Sequence, residues 1–253
     1  MLGKIGIAGA GNLACVLCKA LINKEISPYC IYIRDKFKVD DLARELGVRV
    51  VSDINELMDC DIVIVAVKDD AIEEVAAKLS GFHGLLLHTS GIKSMDALLP
   101  VERRGVFYPL QTFSKGKKID YRTTPILINC VTSEDLSLLK DFASVLFATV
   151  YHCDDEKRKK IHLAAVFMCN FVDVMMGIGT DLLNAENLSL ALMKPLVMET
   201  MDKIFMTNPH DALTGPARRK DFGTIAMHRE MLKNSHDELE IYDILTDYIL
   251  KRF

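Results

Sequence analysis

The chain has 253 residues, of which 50% are hydrophobic and 26% are charged, a composition typical of a globular protein with a sizeable core in one or two domains. Its net charge of −4 gives no argument for nucleic acid or an anionic membrane as a partner, so neither is expected. The seven cysteines are odd in number and lie mostly in apolar runs, which predicts reduced, buried thiols in a cytoplasmic protein.

Two features near the N-terminus could indicate other classes of protein. Cys15 and Cys18 form a C-x-x-C pair, but no second Cys or His pair has zinc spacing, so no metal site is predicted. The first apolar run could pass for a secretory signal, but two glycines and an asparagine interrupt it. No window holds about 18 uninterrupted apolar residues, so a membrane span is not expected.

Strands and helices alternate from residue 3 to about residue 150. The predicted strands are KIGIAG, CIYIR, VRVV, DIVIVAV, GLLLHTSG, GVFYPL and PILINCV. Helical segments separate most of them, including KVDDLARELG, which ends before Gly47, and DINELMD, which Asp53 caps. DIVIVAV is continuously apolar, and such runs belong to parallel sheets that helices cover on both faces. Residues 1–153 are therefore predicted to form a doubly wound, mostly parallel α/β domain of the Rossmann type.

The alternation stops after TVYHCDDEKRKK, and residues 156–253 contain no convincing strand. Apolar residues recur there at helical spacing, so residues 154–253 are predicted to form an all-helical domain for substrate binding and dimerisation. Five of its methionines are expected in helix packing or in a subunit interface: Met175, Met176, Met193, Met198 and Met201.

The sequence GAGNLA follows a predicted strand, opens a predicted helix and has the G-x-G-x-x-A form of a dinucleotide-binding turn. Gly9 permits the tight turn, Gly11 lets the backbone approach a pyrophosphate, and Ala14 keeps the helix close to the sheet. Asn12 and Leu13 open the helix, whose free N–H groups attract phosphates. The Asn12 side chain could face the phosphates or a neighbouring loop. A tight turn that binds no ligand is the alternative.

The end of the second predicted strand indicates which dinucleotide binds. An acidic residue there favours NAD, whereas an arginine favours NADP because it accommodates the 2′-phosphate. Arg34 occupies this position with Lys36 close by, which predicts NADP. Asp35 could repel the 2′-phosphate if it turned inward, so NAD stays open, and Arg34 could also be an ordinary solvated charge.

Ligands of open α/β sheets bind outside the carboxyl ends of the strands. The end of the fourth predicted strand is expected to lie along the cofactor, through Ala66, Val67 and Lys68. After the fifth strand, Thr89 and Ser90 are expected to bind the cofactor or the backbone. His88 titrates near neutrality by default, so it is the leading candidate for proton transfer. A histidine that only bonds a loop backbone is the alternative.

Two segments of the helical domain carry candidate polar groups. His162, Val166 and Asn170 follow at intervals of four residues and share one stripe of a helix, where the two polar residues line a cleft or satisfy a core bond. Arg219, in LTGPARRKD, could bind an anionic substrate or pair with Asp221.

Together, IGIAGAGNLA, DIVIVAVKDDAI, HTSG, YPLQTFS, HLAAVFMCNF and LTGPARRKD resemble the deazaflavin-dependent-type NADP oxidoreductases that carry a helical C-terminal domain of unknown function. The resemblance covers nearly the whole chain, and it implies NADP and a Rossmann-like fold without implying a particular substrate.

GAGNLA, AVKDD and the late proline-containing turn are more distantly similar to pyrroline-5-carboxylate reductase. That similarity implies a substrate near Thr214, Gly215 and Pro216 and a dimer formed by the helical domain. ARRKDF replaces the small glycine and threonine residues that grip a carboxylate in that family, which argues against proline biosynthesis.

The sequence therefore predicts an NADP-dependent oxidoreductase that moves a hydride between the nicotinamide and a small substrate held between the two domains. His88 is the predicted acid–base group, Asn170 orients the substrate, and His162 is a further catalytic candidate. A homodimer that pairs through the helical domain is expected. The alternative is a sensor or interaction protein that binds NADP(H) without turnover.

Overall fold

In the computed structural model, which describes residues 3–114 and 120–253, eight strands of the described chain form one sheet. The strands are β1 (Ile5–Ala8), β2 (Cys30–Tyr32), β3 (Val50–Val51), β4 (Ile62–Val65), β5 (Leu85–His88), β6 (Arg104–Pro109), β7 (Pro125–Cys130) and β8 (Thr149–His152). Their order is β3-β2-β1-β4-β5-β6-β7-β8, and every neighbouring pair is parallel except β6 and β7. This confirms the doubly wound, mostly parallel sheet.

All seven predicted strands are present, and TVYH, for which no strand is predicted, forms β8 at the sheet edge. Its Tyr151 and His152 are exposed, so the segment lacks the continuous apolar pattern of a central strand. It pairs parallel with β7.

Helices cover both faces of the sheet, as the apolar strand sequences require. Along β4, Ile62 and Ile64 pack into one core, and Val63 and Val65 pack into the core on the opposite face. This alternation follows from strand geometry, in which successive side chains point to opposite faces.

The helices of the first half are α1 (Asn12–Ile22), α2 (Val39–Leu46), α3 (Ile72–Lys78), α4 (Ser133–Leu146) and α5 (Asp155–Ala165). Gly47 ends α2 in the left-handed conformation with φ of 68°, as the sequence predicts. The Asp53 side chain accepts from the Asn55 N–H and caps the short 3-10 helix Ile54–Asp59.

The chain divides into two units, the first ending at Ala165 and the second spanning Val166–Phe253. The helix α5 belongs to the first unit, and the predicted functional boundary after residue 153 stays a prediction. The second unit begins with the π-helical turn Val166–Asn170, and its helices are α6 (Phe171–Ala185), α7 (Lys194–Met206), α8 (Pro209–Ala212), α9 (Phe222–Met231) and α10 (His236–Arg252).

Most of the apolar surface of the second unit is open. Four of its residues are buried in the described chain: Ala217, Ile225, Leu232 and Thr246. None of the residues of α6 or α7 in the structure is buried.

One helical stretch of the described residues, Asp155–Ala185, is long and apolar enough to cross a membrane when judged by length and composition alone. A core helix of a soluble protein meets the same criterion, so the finding is weak evidence for a span. The expectation that no membrane is bound stays a prediction.

Candidate functional site

The carboxyl ends of four parallel strands meet at one edge of the sheet. Ala8 pairs with Val65, Val65 with His88, and His88 with Val106, so β1, β4 and β5 end at the same level and β6 continues beyond it to Pro109. The chain reverses its direction of travel across the sheet between β1 and β4, which lie side by side at the centre. Open α/β sheets bind their ligands at such a switch point.

The two glycines after β1 differ in what requires them. A Cβ on Gly9, which has φ of +133°, would lie 2.2 Å from the carbonyl oxygen of Ala66, so the fold itself requires glycine there. An added Cβ on Gly11 would meet nothing within 4 Å among the described residues. Internal packing therefore leaves the space over Gly11 open, as the close approach of a pyrophosphate to this backbone requires.

The start of α1 faces the same edge. The first N–H groups of a helix have no intrahelical acceptors and attract anions. Leu13 lies in this first turn, and its half-buried side chain packs against the core. Of the two predicted roles for the Asn12 side chain, the structure shows the loop contact, because its Nδ2 donates to the Phe113 carbonyl oxygen at 2.9 Å.

The end of β2 presents an exposed arginine. Arg34 makes no hydrogen bond or ion pair within residues 3–114 and 120–253. The hydrogen bond from Lys78 lowers the pKa of Glu74, and the charge of Arg34 adds a smaller effect in the same direction. Asp35 is engaged locally: it accepts from the Phe37 N–H at 3.1 Å and pairs with Lys38 at 3.3 Å. Its charge is therefore directed into its own turn.

Beyond β4, Ala66 is buried with its carbonyl oxygen against Gly9, Val67 is half-buried, and Lys68 is exposed. Lys68 precedes the short 3-10 helix Asp69–Ala71. These three residues follow the central strand at the switch point, where a bound dinucleotide would pass.

The hydroxyl groups of the loop after β5 are already hydrogen-bonded. Thr89 Oγ1 donates to the Val65 carbonyl oxygen at 3.3 Å, and Ser90 Oγ donates to Asp69 at 2.9 Å. Ser90 Oγ also accepts from the N–H groups of Ile92 and Lys93. These bonds join the loop to the end of β4 and fix its path beside the predicted cofactor.

His88 is fully buried at the end of β5. Its Nδ1 accepts from the Ser90 N–H at 3.1 Å, so the hydrogen of the neutral ring is assigned to Nε2, which has no hydrogen-bond partner in the described residues. Burial, and secondarily the charge of Arg158, lowers the pKa of His88 from 6.5 to about 4. The geometry favours a neutral histidine that supports the loop, and the predicted acid–base role stays a prediction.

A buried arginine that the sequence analysis does not single out anchors this loop. Arg158, on α5, is completely buried and donates to Asp155 at 2.7 Å and to the Lys93 carbonyl oxygen. The other Asp155 oxygen accepts from the Met95 N–H at 3.0 Å. In the sequence, both residues lie in the charged run DDEKRKK, which is typical of a solvated helix start, so only their i, i+3 spacing could have indicated a pair.

Next to this pair lies a second unpredicted residue, Tyr108, at the end of β6. Tyr108 Oη lies 3.1 Å from Nδ1 of His162, which is one helical turn after Arg158 on α5. Gly91, the last residue of HTSG, lies beside both rings, because a Cβ on it would come within 3.0 Å of each. The available signal for Tyr108 was a polar aromatic residue at the carboxyl end of a predicted strand.

The remaining predicted residues lie in the second unit, which is described by itself. Asn170 is exposed at the end of the π-helical turn. Thr214 is exposed, Gly215 has φ of +102°, and Pro216 is half-buried. In the described chain, exposed Arg219 forms no ion pair with Asp221, whose carboxylate caps α9 through Thr224. The bonds from Thr224, and to a smaller extent the charge of Arg219, lower the pKa of Asp221.

The fold and the open glycine turn define a dinucleotide-binding protein, and the comparisons narrow the class. Residues 4–87 match the family described as "NADP oxidoreductase coenzyme F420-dependent", and residues 124–249 match a domain of unknown function, DUF2520. A Bacteroides fragilis protein described as an NADP oxidoreductase has a crystal structure with 36% sequence identity and a TM-score of 0.91, covering 99% of this chain and 98% of that one.

Two reductases are also similar to the chain. Pyrroline-5-carboxylate reductase of Aquifex aeolicus is 32% identical over 108 residues, so the match spans only 40% of this chain and 40% of that curated relative. Pyrroline carboxylate reductase of Plasmodium falciparum, solved with NADP bound, shares the fold at 17% identity and a TM-score of 0.59, with 98% of each chain covered.

The chain belongs to the family of NADP oxidoreductases that join this Rossmann-type domain to a DUF2520 domain. The predicted family resemblance, the enzyme class and the NADP cofactor are thereby confirmed.

Proposed function

We propose that this protein transfers a hydride between NADP(H) and a small organic substrate at the carboxyl edge of the sheet. The observation that carries the proposal is the open space over Gly11 at the start of α1, beside a turn that only Gly9 can form. Packing does not account for the glycine at position 11, whereas a pyrophosphate lying on this backbone does. When bound, NADPH supplies the hydride.

The residues around the turn fit NADP(H). The first-turn N–H groups of α1, including that of Leu13, would hold the pyrophosphate, and the backbone from Ala66 to Lys68 would line its path. Arg34 is exposed and unpaired in the described chain, so it is free to bind a 2′-phosphate. The Asp35 carboxylate, engaged with Phe37 and Lys38, offers little repulsion there.

The test is a fluorescence titration with NADPH and NADH. We expect Gly11→Ala to fold normally and to lose on the order of 100-fold in affinity for both nucleotides, because its Cβ enters the pyrophosphate space. Gly177→Ala is a matched control, since its added Cβ also meets nothing within 4 Å among the described residues. Arg34→Ala should weaken NADPH about 10-fold and leave NADH unchanged. If Gly11→Ala binds both nucleotides like the wild type, the assignment of this site is wrong.

The location of the substrate between the two domains stays a prediction, as do the roles of Asn170, Thr214, Gly215, Pro216 and Arg219 in binding it. Arg219 remains available for an anionic group because Asp221 is occupied by Thr224.

We also propose a homodimer formed by the helical unit. Its apolar side chains are exposed in large number, including Leu192, Leu196 and Phe205. Exposed apolar surface on this scale is typical of a protein interface. We also propose a cytoplasmic location, which the odd number of cysteines and their mostly apolar sequence context support.

A further inference from the structure

Tyr108 and His162 form a hydrogen-bonded pair beside the loop that follows β5. The two rings meet edge to face with centroids 6.1 Å apart. A Cβ on Gly91 would lie 2.5 Å from His162 Nδ1 and 3.0 Å from Tyr108 Cζ. The loop therefore admits both rings at this distance only because residue 91 is glycine.

Tyr108 has hydrogen-bonding capacity left for a ligand. A phenol can donate one hydrogen bond and can also accept, and in the part of the chain that the structure describes its one partner is His162. The hydroxyl hydrogens of the neighbouring Thr89 and Ser90 are already donated, to the Val65 carbonyl oxygen and to Asp69. The phenol lies two residues beyond Val106, which pairs with His88, so it is at the edge where the strands meet the cofactor.

Burial and nearby charges act on the Tyr108 proton in opposite directions, and their net effect is to retain it. Burial raises the pKa of Tyr108, so the phenol keeps its proton at neutral pH. Arg158 acts in the opposite direction and would stabilise the phenolate, whereas Asp69 opposes it. Asp155 partly balances Arg158 through their ion pair, and His162 contacts the phenol oxygen directly.

We propose that Tyr108 is the proton donor of the reduction, that His162 positions and reprotonates it, and that the substrate is a carbonyl or imine compound. This inference rests on the proposed hydride transfer. Tyr108 breaks its O–H bond and gives the proton to the substrate oxygen or nitrogen, which takes the electron pair of the C=O or C=N bond while NADPH supplies a hydride to the carbon.

The proton is then replaced through His162. The phenolate takes the proton from His162 Nδ1, and Nε2 of the half-buried ring takes one from water, which leaves the other neutral tautomer. Proton exchange of the ring with solvent restores the Nδ1–H tautomer before the next turnover. The net reaction converts the carbonyl or imine, NADPH and one proton from solvent into the alcohol or amine and NADP⁺. The reverse reaction uses the same groups in the opposite order.

The first experiment needs no substrate. Nitrogen-15 NMR of histidine-labelled full-length protein follows the His162 ring, which is assigned with His162→Gln. We expect Tyr108→Phe to shift the His162 Nδ1 signal, because the phenol hydrogen bond is lost. Tyr151→Phe, which removes an exposed phenol on β8, is the matched control and should leave the signal unchanged. An unchanged His162 signal in Tyr108→Phe would overturn the pairing.

The second experiment measures NADPH oxidation with a panel of aldehydes, ketones and cyclic imines. We expect Tyr108→Phe to lower kcat on the order of 100-fold or more, with the dissociation constant for NADPH unchanged within about twofold. His162→Gln retains an amide beside the phenol and should keep more activity than His162→Leu. The exposed residue in His83→Gln is a control and should retain the wild-type rate.

The outcomes separate the two proposals. If the wild type does not bind NADPH, the proposed function fails. If the wild type binds NADPH and reduces a member of the panel, but Tyr108→Phe keeps kcat within about threefold, only the proton-donor assignment fails. If the wild type binds NADPH and reduces no carbonyl or imine, the proposed substrate class is wrong.

Discussion

The sheet unit and the helical unit are both rich in apolar residues, yet they differ in how these residues are covered. Strands β1, β4 and β5 are buried along their whole length between two layers of helices. In α6 and α7, by contrast, every residue remains at least partly accessible in the described chain. An apolar helix or strand is therefore not always buried within one chain. Its burial depends on which other elements the fold packs against each of its faces.

This difference in the burial of apolar residues has a consequence for each unit. The sheet unit has its own core and can position a ligand site at its edge with hydrogen-bonded loops. The helical unit has too little buried surface in one chain to account for its stability, so a second copy is the proposed cover.

The largest expected effect on the free energy of unfolding comes from replacing a buried phenylalanine, and an exposed phenylalanine is the comparison. Phe142 is fully buried on α4 and stacks on Phe107 with ring centroids 5.4 Å apart, so Phe142→Ala should lower the free energy of unfolding by about 3–5 kcal/mol. Phe37 of the sheet unit is 85% exposed, and Phe37→Ala should change the free energy of unfolding by less than about 0.5 kcal/mol. Urea denaturation measures both, and equal effects would contradict the comparison.

A smaller effect is expected from His88 in the sheet unit. Its pKa is lowered to about 4 in the folded protein, so between pH 6.5 and 4 the unfolded chain binds more protons than the folded chain. The neutral ring thus contributes about 3 kcal/mol of stability above pH 6.5, and this is lost as the pH falls through 4.

Urea denaturation from pH 7 to pH 4 checks this, with His88→Leu as the variant that lacks the titrating group. The wild type should lose more stability over this range than His88→Leu. His83→Gln, at an exposed histidine, should follow the wild type. Parallel pH profiles of wild type and His88→Leu would show that His88 titrates normally.

The third prediction tests the open face of the helical unit. Light scattering of the wild type should give twice the 28.4 kDa chain mass at micromolar concentration. Leu192→Glu with Leu196→Glu should raise the dimer dissociation constant at least about 100-fold, because each buried carboxylate would lack a partner. Phe37→Glu, at a still more exposed apolar residue of the sheet unit, is the control. A wild type that has the mass of a single chain in solution would contradict the proposed dimer.

Much of the fold could be predicted because the signals are local. The continuous apolar run of β4, the glycine stop of α2 and the helical periods after residue 154 each act over a few residues. The strand β8 escaped prediction because it lies at an edge, where exposed Tyr151 and His152 weaken the pattern. The glycines of the nucleotide turn were identified for the same local reason.

The rest of the candidate site could not be predicted, because it depends on residues far apart in the chain. Arg158 resembles a solvated charge in its sequence context, and only packing against the loop at Lys93 buries it. Tyr108 and His162 are 54 positions apart, so their contact depends on how α5 lies against the end of β6. A histidine in HTSG suggested acid–base chemistry, whereas its burial lowers its pKa out of the neutral range.

The sequence alone determined the class of this protein: a parallel sheet, a glycine turn for a dinucleotide and a helical second half, all encoded in short-range patterns. The tertiary structure alone decided which polar groups are buried and which are already hydrogen-bonded at the sheet edge. The physical reason is that hydrogen bonding and desolvation depend on neighbours in space, and sequence spacing does not specify those neighbours.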